Sequence, residues 1–311
     1  MAGQKRGGFA KEISRNKYLY LMMLPGILFF LLFNYLPMAG LYFAFVKYHP
    51  LAPAFGLGSQ FVGLKNFEYF FASKDWLKIT ANTLFLNTVF ITSGIVVQLG
   101  LAVCLNEMTM KMAKKISQTF MFLPNFISWT VVSVMSIALF STDEGIINHV
   151  LVLFGMTPIN FYQNASVWPT LLAILRIWKG AGFGSVIYLA SIAGIDAEIY
   201  EAATIDGASR LARIFRITIP MLKTTTAMLL IMNIGSIFYG DFGMIYALIN
   251  DNPMLRSTTD VIDTYVYRAL RMYNDIGMSS AVGLFQSVIG FITVVLANRV
   301  INKLDKESAL F

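Results

Sequence analysis

Long apolar stretches separated by short polar ones dominate the chain. A helix rises 1.5 Å per residue, so roughly 18 or more apolar residues in succession are needed to cross about 30 Å of hydrocarbon. Six stretches reach that length: Leu19 to Val46, Asn82 to Leu105, Thr119 to Phe140, Val167 to Ile192, Thr224 to Ile249 and Ile276 to Val300. The pattern predicts an all-α polytopic membrane protein of about six transmembrane helices. The first stretch follows positive charge, as a signal-peptide core does. It is far longer than an h-region and lacks a convincing small-residue cleavage site, so a retained helix is expected. Pro25 and Pro37 should kink or break it.

Composition supports this reading. Apolar residues make up 57% of the 311 positions and charged residues 13%, against about a quarter charged in a soluble domain. A soluble fold of this length has too little interior to hide so much apolar surface. The net charge of +7 is spread among the apolar spans and is not gathered on a polar domain, so nucleic acid is not an expected partner. Fifteen Lys and Arg fall in the amino-terminal tail, the loops after the second and fourth spans and the carboxyl tail, against seven in the alternate connections. By the positive-inside rule both termini face the cytoplasm of a bacterial cytoplasmic membrane.

The expected organisation is a cytoplasmic tail over residues 1–18, a first transmembrane helix over 19–46 and an external connection over 47–81. A five-helix core over 82–300 and a second cytoplasmic tail over 301–311 follow. Within the external connection, Phe61 to Lys78 mixes aromatics with charges and should form an interfacial amphipathic helix. Ser141 to Ser166 holds a short apolar stretch, Ile146 to Phe154, expected as a shallow helix. Cys104 lies in an apolar run and is expected as a small core residue, with no disulfide or thiolate metal site available. His49 and His149 stand in external connections, and no catalytic or metal-ligating set is expected.

The loop over 193–223 is the most informative stretch. Asp196 should cap a helix through the Ala-rich segment containing Glu201, Ala202 and Ala203, and Gly207 should supply a turn that residues with a Cβ adopt only at a cost. A second helix from Ala208 to Phe215 carries Arg210 and Arg213, and Pro220 marks entry to the next span. A helix–turn–helix along the cytoplasmic surface is the expected form, which by itself also fits a plain re-entry loop.

The spacing Glu-Ala-Ala, three residues, Gly, nine residues, Ile-x-Ile-Pro over residues 201–220 resembles the cytoplasmic signature of ABC importer permeases, with Ile219 in place of the usual Leu. Phe61 to Phe67, Phe122 to Ser128, Ile177 to Lys179 and Thr259 to Tyr265 also resemble segments of sugar permeases. The resemblance implies the type I ABC importer permease fold. By the same resemblance Glu201, Ala202, Ala203, Asp206 and Gly207 would form a coupling surface docked on a separate ATPase. It also implies a second permease (a heterodimer), two ATPase subunits and an extracytoplasmic solute-binding protein as partners. ATP and Mg would be bound by the ATPases, because this chain has no Gly-x-x-x-x-Gly-Lys-Ser/Thr loop. No cofactor is expected in this chain.

Charges inside a span are costly and usually face a bundle interior or a watery cavity. Arg176, Lys179, Gly180 and Phe183 share one face by helical spacing, while Gly180, Gly182 and Gly184 should let backbones approach closely. Maltose-type permeases place a sugar-contacting Trp at the offset of Trp178 from Glu201, so the resemblance nominates Trp178 and Gly180 as substrate contacts. In the fifth span Asn233, Ser236 and Gly240 form a stripe with Tyr239 and Asp241 beside it. Arg176 and Lys179 have no acidic residue in their own span, which raises the hypothesis of an acidic, uronate-containing oligosaccharide; the alternatives are that one of them pairs with Asp241 across the bundle or that they face the external mouth. An ion-coupled secondary transporter and a permease for a non-sugar solute are the competing functions.

Overall fold

The computed structural model describes residues 12, 15–49, 51 and 58–304. The chain divides into two compact units, residues 1–70 with 275–284 and residues 71–274 with 285–311.

In the first unit, α1 (Lys17–Phe45) is helical throughout. Pro25 sits in its α-helical part; a π turn over Leu31–Tyr35 precedes Pro37, which stands at the start of a 3₁₀ segment. Widening and then tightening the helix absorbs the missing donor and the ring clash, so the prolines change its winding without breaking it. No residue of its most apolar stretch is buried within the chain. A two-stranded antiparallel ribbon, β1 (Val46–Lys47) and β2 (Gln60–Phe61), follows, with Val46 opposite Phe61. The Asn66 amide donates to the carbonyls of Ala44 at 3.0 Å and Val46 at 2.9 Å, tying the end of α1 to α2 (Lys65–Phe71). The expected interfacial helix is therefore shorter than Phe61 to Lys78, because Trp76 already opens the next span.

The second unit is organised around α3 (Trp76–Asn106). Its other elements are α4 (Lys111–Phe122), α5 (Trp129–Phe140), α6 (Ile146–Leu153) and α7 (Trp168–Ala193). Beyond these come α8 (Ala197–Ile205), α9 (Arg210–Met221), α10 (Lys223–Ile234), α11 (Phe242–Ile249) and α12 (Ile262–Tyr273). The last helix, α13 (Ile276–Leu304), contributes to both units. Helices α3 and α7 run parallel. Leu86 and Phe90 pack with Trp168 and Leu172 in one core cluster, and Ala102 and Val103 with Tyr188 and Ile192 in another.

Among the described residues four helices are long and apolar enough to cross a membrane, or up to six spans if each of two bent pairs counts as one. One bent pair is the expected third span; the other, Arg210–Met221 with Lys223–Ile234, meets at 51° and joins the 193–223 loop to the expected fifth span, so both expected spans depart from the continuous helices anticipated. In the third, Lys111–Phe126 and Trp129–Phe140 meet at 98°. Pro124 removes a backbone donor, the chain tightens to 3₁₀ over Leu123–Phe126, and Ser128 restarts the helix by accepting from the Val131 N–H at 3.3 Å. In the fifth, α10 ends at Ile234, an irregular turn covers residues 235–241, and α11 begins afresh. The shallow helix α6 matches its expected position. Cys104 is a correction: it is exposed on the surface of α3, since the buried face there is taken by Ala102, Val103 and Leu105.

Candidate functional site

The loop over 193–223 folds as its residues dictate. The Asp196 carboxylate accepts from the Glu198 N–H at 3.0 Å and caps α8. Gly207 adopts φ +75°, a left-handed conformation that favours glycine. Ser209 then caps the next helix by accepting from the Ala212 N–H at 3.3 Å. Glu201, Ala202, Asp206 and Gly207 are exposed and Ala203 is half-buried, so the end of α8 and the turn after it offer an exposed face. The second helix is not confined to Ala208–Phe215: it is regular over Arg210–Arg213 and continues through a π turn at Ile214–Thr218 towards Pro220. Its arginines are spoken for. Arg210 pairs with the Glu107 carboxylate at the end of α3, and Arg213 donates to Thr204 Oγ1 at 2.9 Å. Tyr200 and Thr218 hydroxyls lie 2.9 Å apart, joining α8 to the return segment.

Within the membrane segments, the single face drawn from Arg176 to Phe183 separates. Arg176 and Gly180 line a cavity of about 190 Å³ with Phe90, Gly94, Gln98 and Asn233. The Arg176 guanidinium pairs with Asp241 at 2.9 Å and lies over the Phe90 ring at 4.9 Å. Arg176 thus makes the cross-bundle pair with Asp241 that was held open for it. Lys179 points elsewhere: its Nζ donates to the Asn125 carbonyl at 2.8 Å and lies 5.4 Å above the Trp129 ring. Among the described residues Lys179 has no carboxylate partner. Trp178 borders a separate groove with Ile116, Phe120 and Met121, and Phe183 is exposed and lines neither space.

The glycines divide as well. A Cβ on Gly182 would stand 2.0 Å from the Met121 carbonyl oxygen, and one on Gly184 would meet the Gln98 amide. Gly180 has open space before it, so it borders the cavity and makes no close backbone approach.

The stripe Asn233–Ser236–Gly240 does not exist as a helix face, because α10 has ended at Ile234. Asn233 borders the cavity and donates to the Leu229 carbonyl at 2.7 Å, while exposed Ser236 donates back to the Asn233 carbonyl at 3.0 Å. Tyr239 and Ser287 hydroxyls are 2.8 Å apart. Gly240 is packed under Val261, and its N–H donates to the Asp263 carboxylate. Three residues absent from the sequence-based candidates hold this break. The Asn87 amide donates to the carbonyls of Ile237 and Tyr239, each at 2.9 Å, Gln286 donates to the Phe238 carbonyl at 2.8 Å, and Asp263 takes Gly240. Irregular backbone at membrane depth is tolerated only where its polar groups are satisfied. Buried Asn87 and Gln286 inside apolar spans were the available signal.

Beyond the break, α11 and α5 flank a groove of about 820 Å³ at the end distal to the 193–223 loop. Thr130, Ser133, Tyr162, Phe242, Tyr246 and Asn252 are among its walls. Phe242 and Tyr246 stack with ring centres 5.1 Å apart. The chain past α11 is clamped by Arg268, which binds Asp251 at 2.7 Å and Asp260 at 2.8 Å, with Arg256 on Asp251 at 2.8 Å. Burial alone would lower the Arg268 pKa, but the two carboxylates outweigh it and raise the value. Burial likewise pushes the Asp251 carboxyl up, and hydrogen bonds from Arg268 and Arg256 reverse this to hold it below the usual carboxylate range. Among the described residues no cluster of His, Cys, Asp and Glu is suited to a metal ion.

Residues 94–306 match the family described as binding-protein-dependent transport system inner membrane component. The chain is 39% identical over 304 residues to the polygalacturonan/rhamnogalacturonan transport system permease protein YteP of Bacillus subtilis (strain 168), covering 98% of this chain and 94% of that protein. It is similar, at TM-score 0.87 and 33% identity, to a chain of a bacterial ABC transporter involved in the import of the acidic polysaccharide alginate, covering 96% of this chain and 100% of that one. A second structure of a bacterial alginate ABC transporter, in complex with an alginate pentasaccharide-bound periplasmic protein, matches with the same score and identity over 96% and 99%.

Proposed function

Because the chain belongs to the family of binding-protein-dependent transport system inner membrane components and is a multi-pass permease, not an enzyme, we propose that it carries acidic, uronate-containing oligosaccharides inward by alternating access. The observation that carries the proposal is one of continuity. Helix α7, which bears Arg176, Trp178, Lys179 and Gly180, ends at Ala193, and the capped, exposed helix α8 begins at Ala197. A motor gripping Glu201, Ala202, Ala203, Asp206 and Gly207 would therefore move the helix that borders the cavity. Discrete rigid elements of this kind convert a local push into a switch of access.

The partners in this reading are a second, distinct permease, two ATPase subunits that bind ATP and Mg, and an extracytoplasmic binding protein that delivers the sugar. Both termini and the α8 loop lie in the cytoplasm, and the groove along α11 and α5 opens outward. Arg176, Gly180 and Asn233 border the cavity and Asp241 pairs with Arg176, so these four frame the path, while Trp178 and Lys179 stand on α7 outside the cavity. The acidic substrate is supported by Lys179, a cation with no carboxylate partner among the described residues, and by the named substrates of the similar proteins.

The test is reconstitution with partner permease, ATPases and binding protein. Glu201→Lys and Gly207→Pro are expected to lower both sugar uptake and binding-protein-stimulated ATP turnover more than about tenfold, an energetic loss above about 1.4 kcal/mol in coupling. Sugar binding by the isolated binding protein should not change. Wild-type rates in both variants, or ion-driven uptake by this chain alone, would replace the ATP-driven reading with a secondary transporter.

A further inference from the structure

Resting on the acidic-substrate reading, we infer that Asp241 is a resident stand-in for the substrate's own carboxylate: a uronate displaces it from Arg176, and this exchange joins the outer groove to the mid-span cavity. The pair links residues that border both spaces. Arg176 is part of the cavity wall, while Phe242 and Gly243, directly after Asp241, are part of the groove wall. A saccharide following the groove therefore arrives at Asp241 before it arrives at the cavity.

The pair is built to exchange. Its side chains are 36% and 29% exposed, so a ligand can reach both. Asp241 has a second attachment, since Oδ1 accepts from the Met244 N–H at 3.2 Å and caps α11. Its charge stays compensated by that helix terminus after Arg176 leaves. Arg176 in turn keeps the Phe90 ring face. The turn that carries Asp241 is held by Asn87, Gln286 and Asp263, none of which depends on Arg176. Arg268 is the contrast within the same chain: 11% exposed and gripped by two carboxylates, it is a fixed bolt.

The exchange also selects. Swapping one carboxylate for another keeps Arg176 paired, whereas a neutral sugar that opened the pair would leave the partly buried guanidinium without a counter-charge. The groove supplies the remaining recognition. Phe242 and Tyr246 offer ring faces, Thr130 and Ser133 offer hydroxyl groups, and the buried Tyr162 hydroxyl has no hydrogen-bond partner among the described residues. Aromatic faces with a few polar groups are the usual chemistry of a saccharide site.

The experiment is equilibrium binding of galacturonate trisaccharide and its fully methyl-esterified form to the complete permease–ATPase complex in nanodiscs, without binding protein. In wild type the acid is expected to bind more tightly than the ester. Asp241→Asn and Asp241→Ser both retain a capping acceptor and remove the competitor. If Arg176 is free about a tenth of the time, they tighten acid binding about tenfold and leave the ester unchanged. Arg176→Gln should bring the acid down to the ester. The double swap Arg176→Asp with Asp241→Arg should not recover acid binding. Unchanged acid binding in both Asp241 variants, with the wild-type preference intact, overturns the exchange and leaves the substrate reading standing. Recovery in the double swap, or failure of both Asp241 variants to assemble, makes the pair structural and overturns it too. Equal or absent binding of acid and ester in wild type defeats the acidic-substrate reading itself.

Discussion

Glycine at 180 and at 182 sits two positions apart on α7 yet does different work. At Gly182 an added Cβ would collide with the Met121 carbonyl, which is backbone and cannot rotate away. Gly182→Ala is therefore expected to destabilise the unit by about 1–3 kcal/mol, the cost of overpacking, read as a lower melting temperature and less assembled complex. Gly180→Ala meets nothing and gains helix propensity of up to about 1 kcal/mol. Its melting temperature should hold or rise, while the smaller cavity raises the KM for transport. Equal melting temperatures for the two variants would show that α7 and Met121 are not in this close approach.

At the scale of elements, the segment leaving α11 depends on charge where helical structure is short. Asn250 and Asp251 adopt φ of 48° and 52°, unfavourable for residues with a Cβ, so something must hold them. Arg268 on α12 does so through Asp251 and Asp260, whose side chains are 19% and 10% exposed. Arg268→Gln leaves both carboxylates without their main partner and should cost about 3 kcal/mol, read as new protease cleavage within residues 250–261. The pH dependence follows from the depressed Asp251 pKa. A carboxyl held lower in the folded state stabilises it above the ordinary carboxylate range, and that stabilisation is lost as pH falls through the folded value. Protection of the segment should therefore be flat from about pH 5 to 8 and decline below about pH 4. Loss of protection between pH 6 and 7 would point to a different titrating group.

For the whole molecule, α1 poses the clearest demand. None of its most apolar stretch is buried within the chain, against 22–28% for the other long spans among the described residues, so an apolar environment outside the chain must cover it. The proposed orientation of the spans rests on fifteen basic residues against seven. A reporter that works only outside should be active when inserted after Gly155 and silent when fused to the carboxyl terminus; a cytoplasmic reporter should give the reverse. The opposite pattern would invert the topology and place α8 beyond the reach of an ATPase.

What the sequence determined by itself was local or additive. Span number and length follow from summed apolar transfer, and the Asp196 cap and the turn at Gly207 from the chemistry of single residues near their own backbone. The exposed face of α8, proposed as the docking surface, was legible because its spacing lies within twenty residues of chain. The tertiary structure decided the rest. Thr224 to Ile249 reads as one apolar helix, yet it breaks at residues 235–241 because Asn87, Asp263 and Gln286, from three distant elements, satisfy the freed backbone groups. Arg176 meets Asp241 across 65 positions only once that break has turned the carboxylate toward α7. A helix in hydrocarbon can open only where other parts of the protein replace its hydrogen bonds, and which parts those are is a property of the packed molecule.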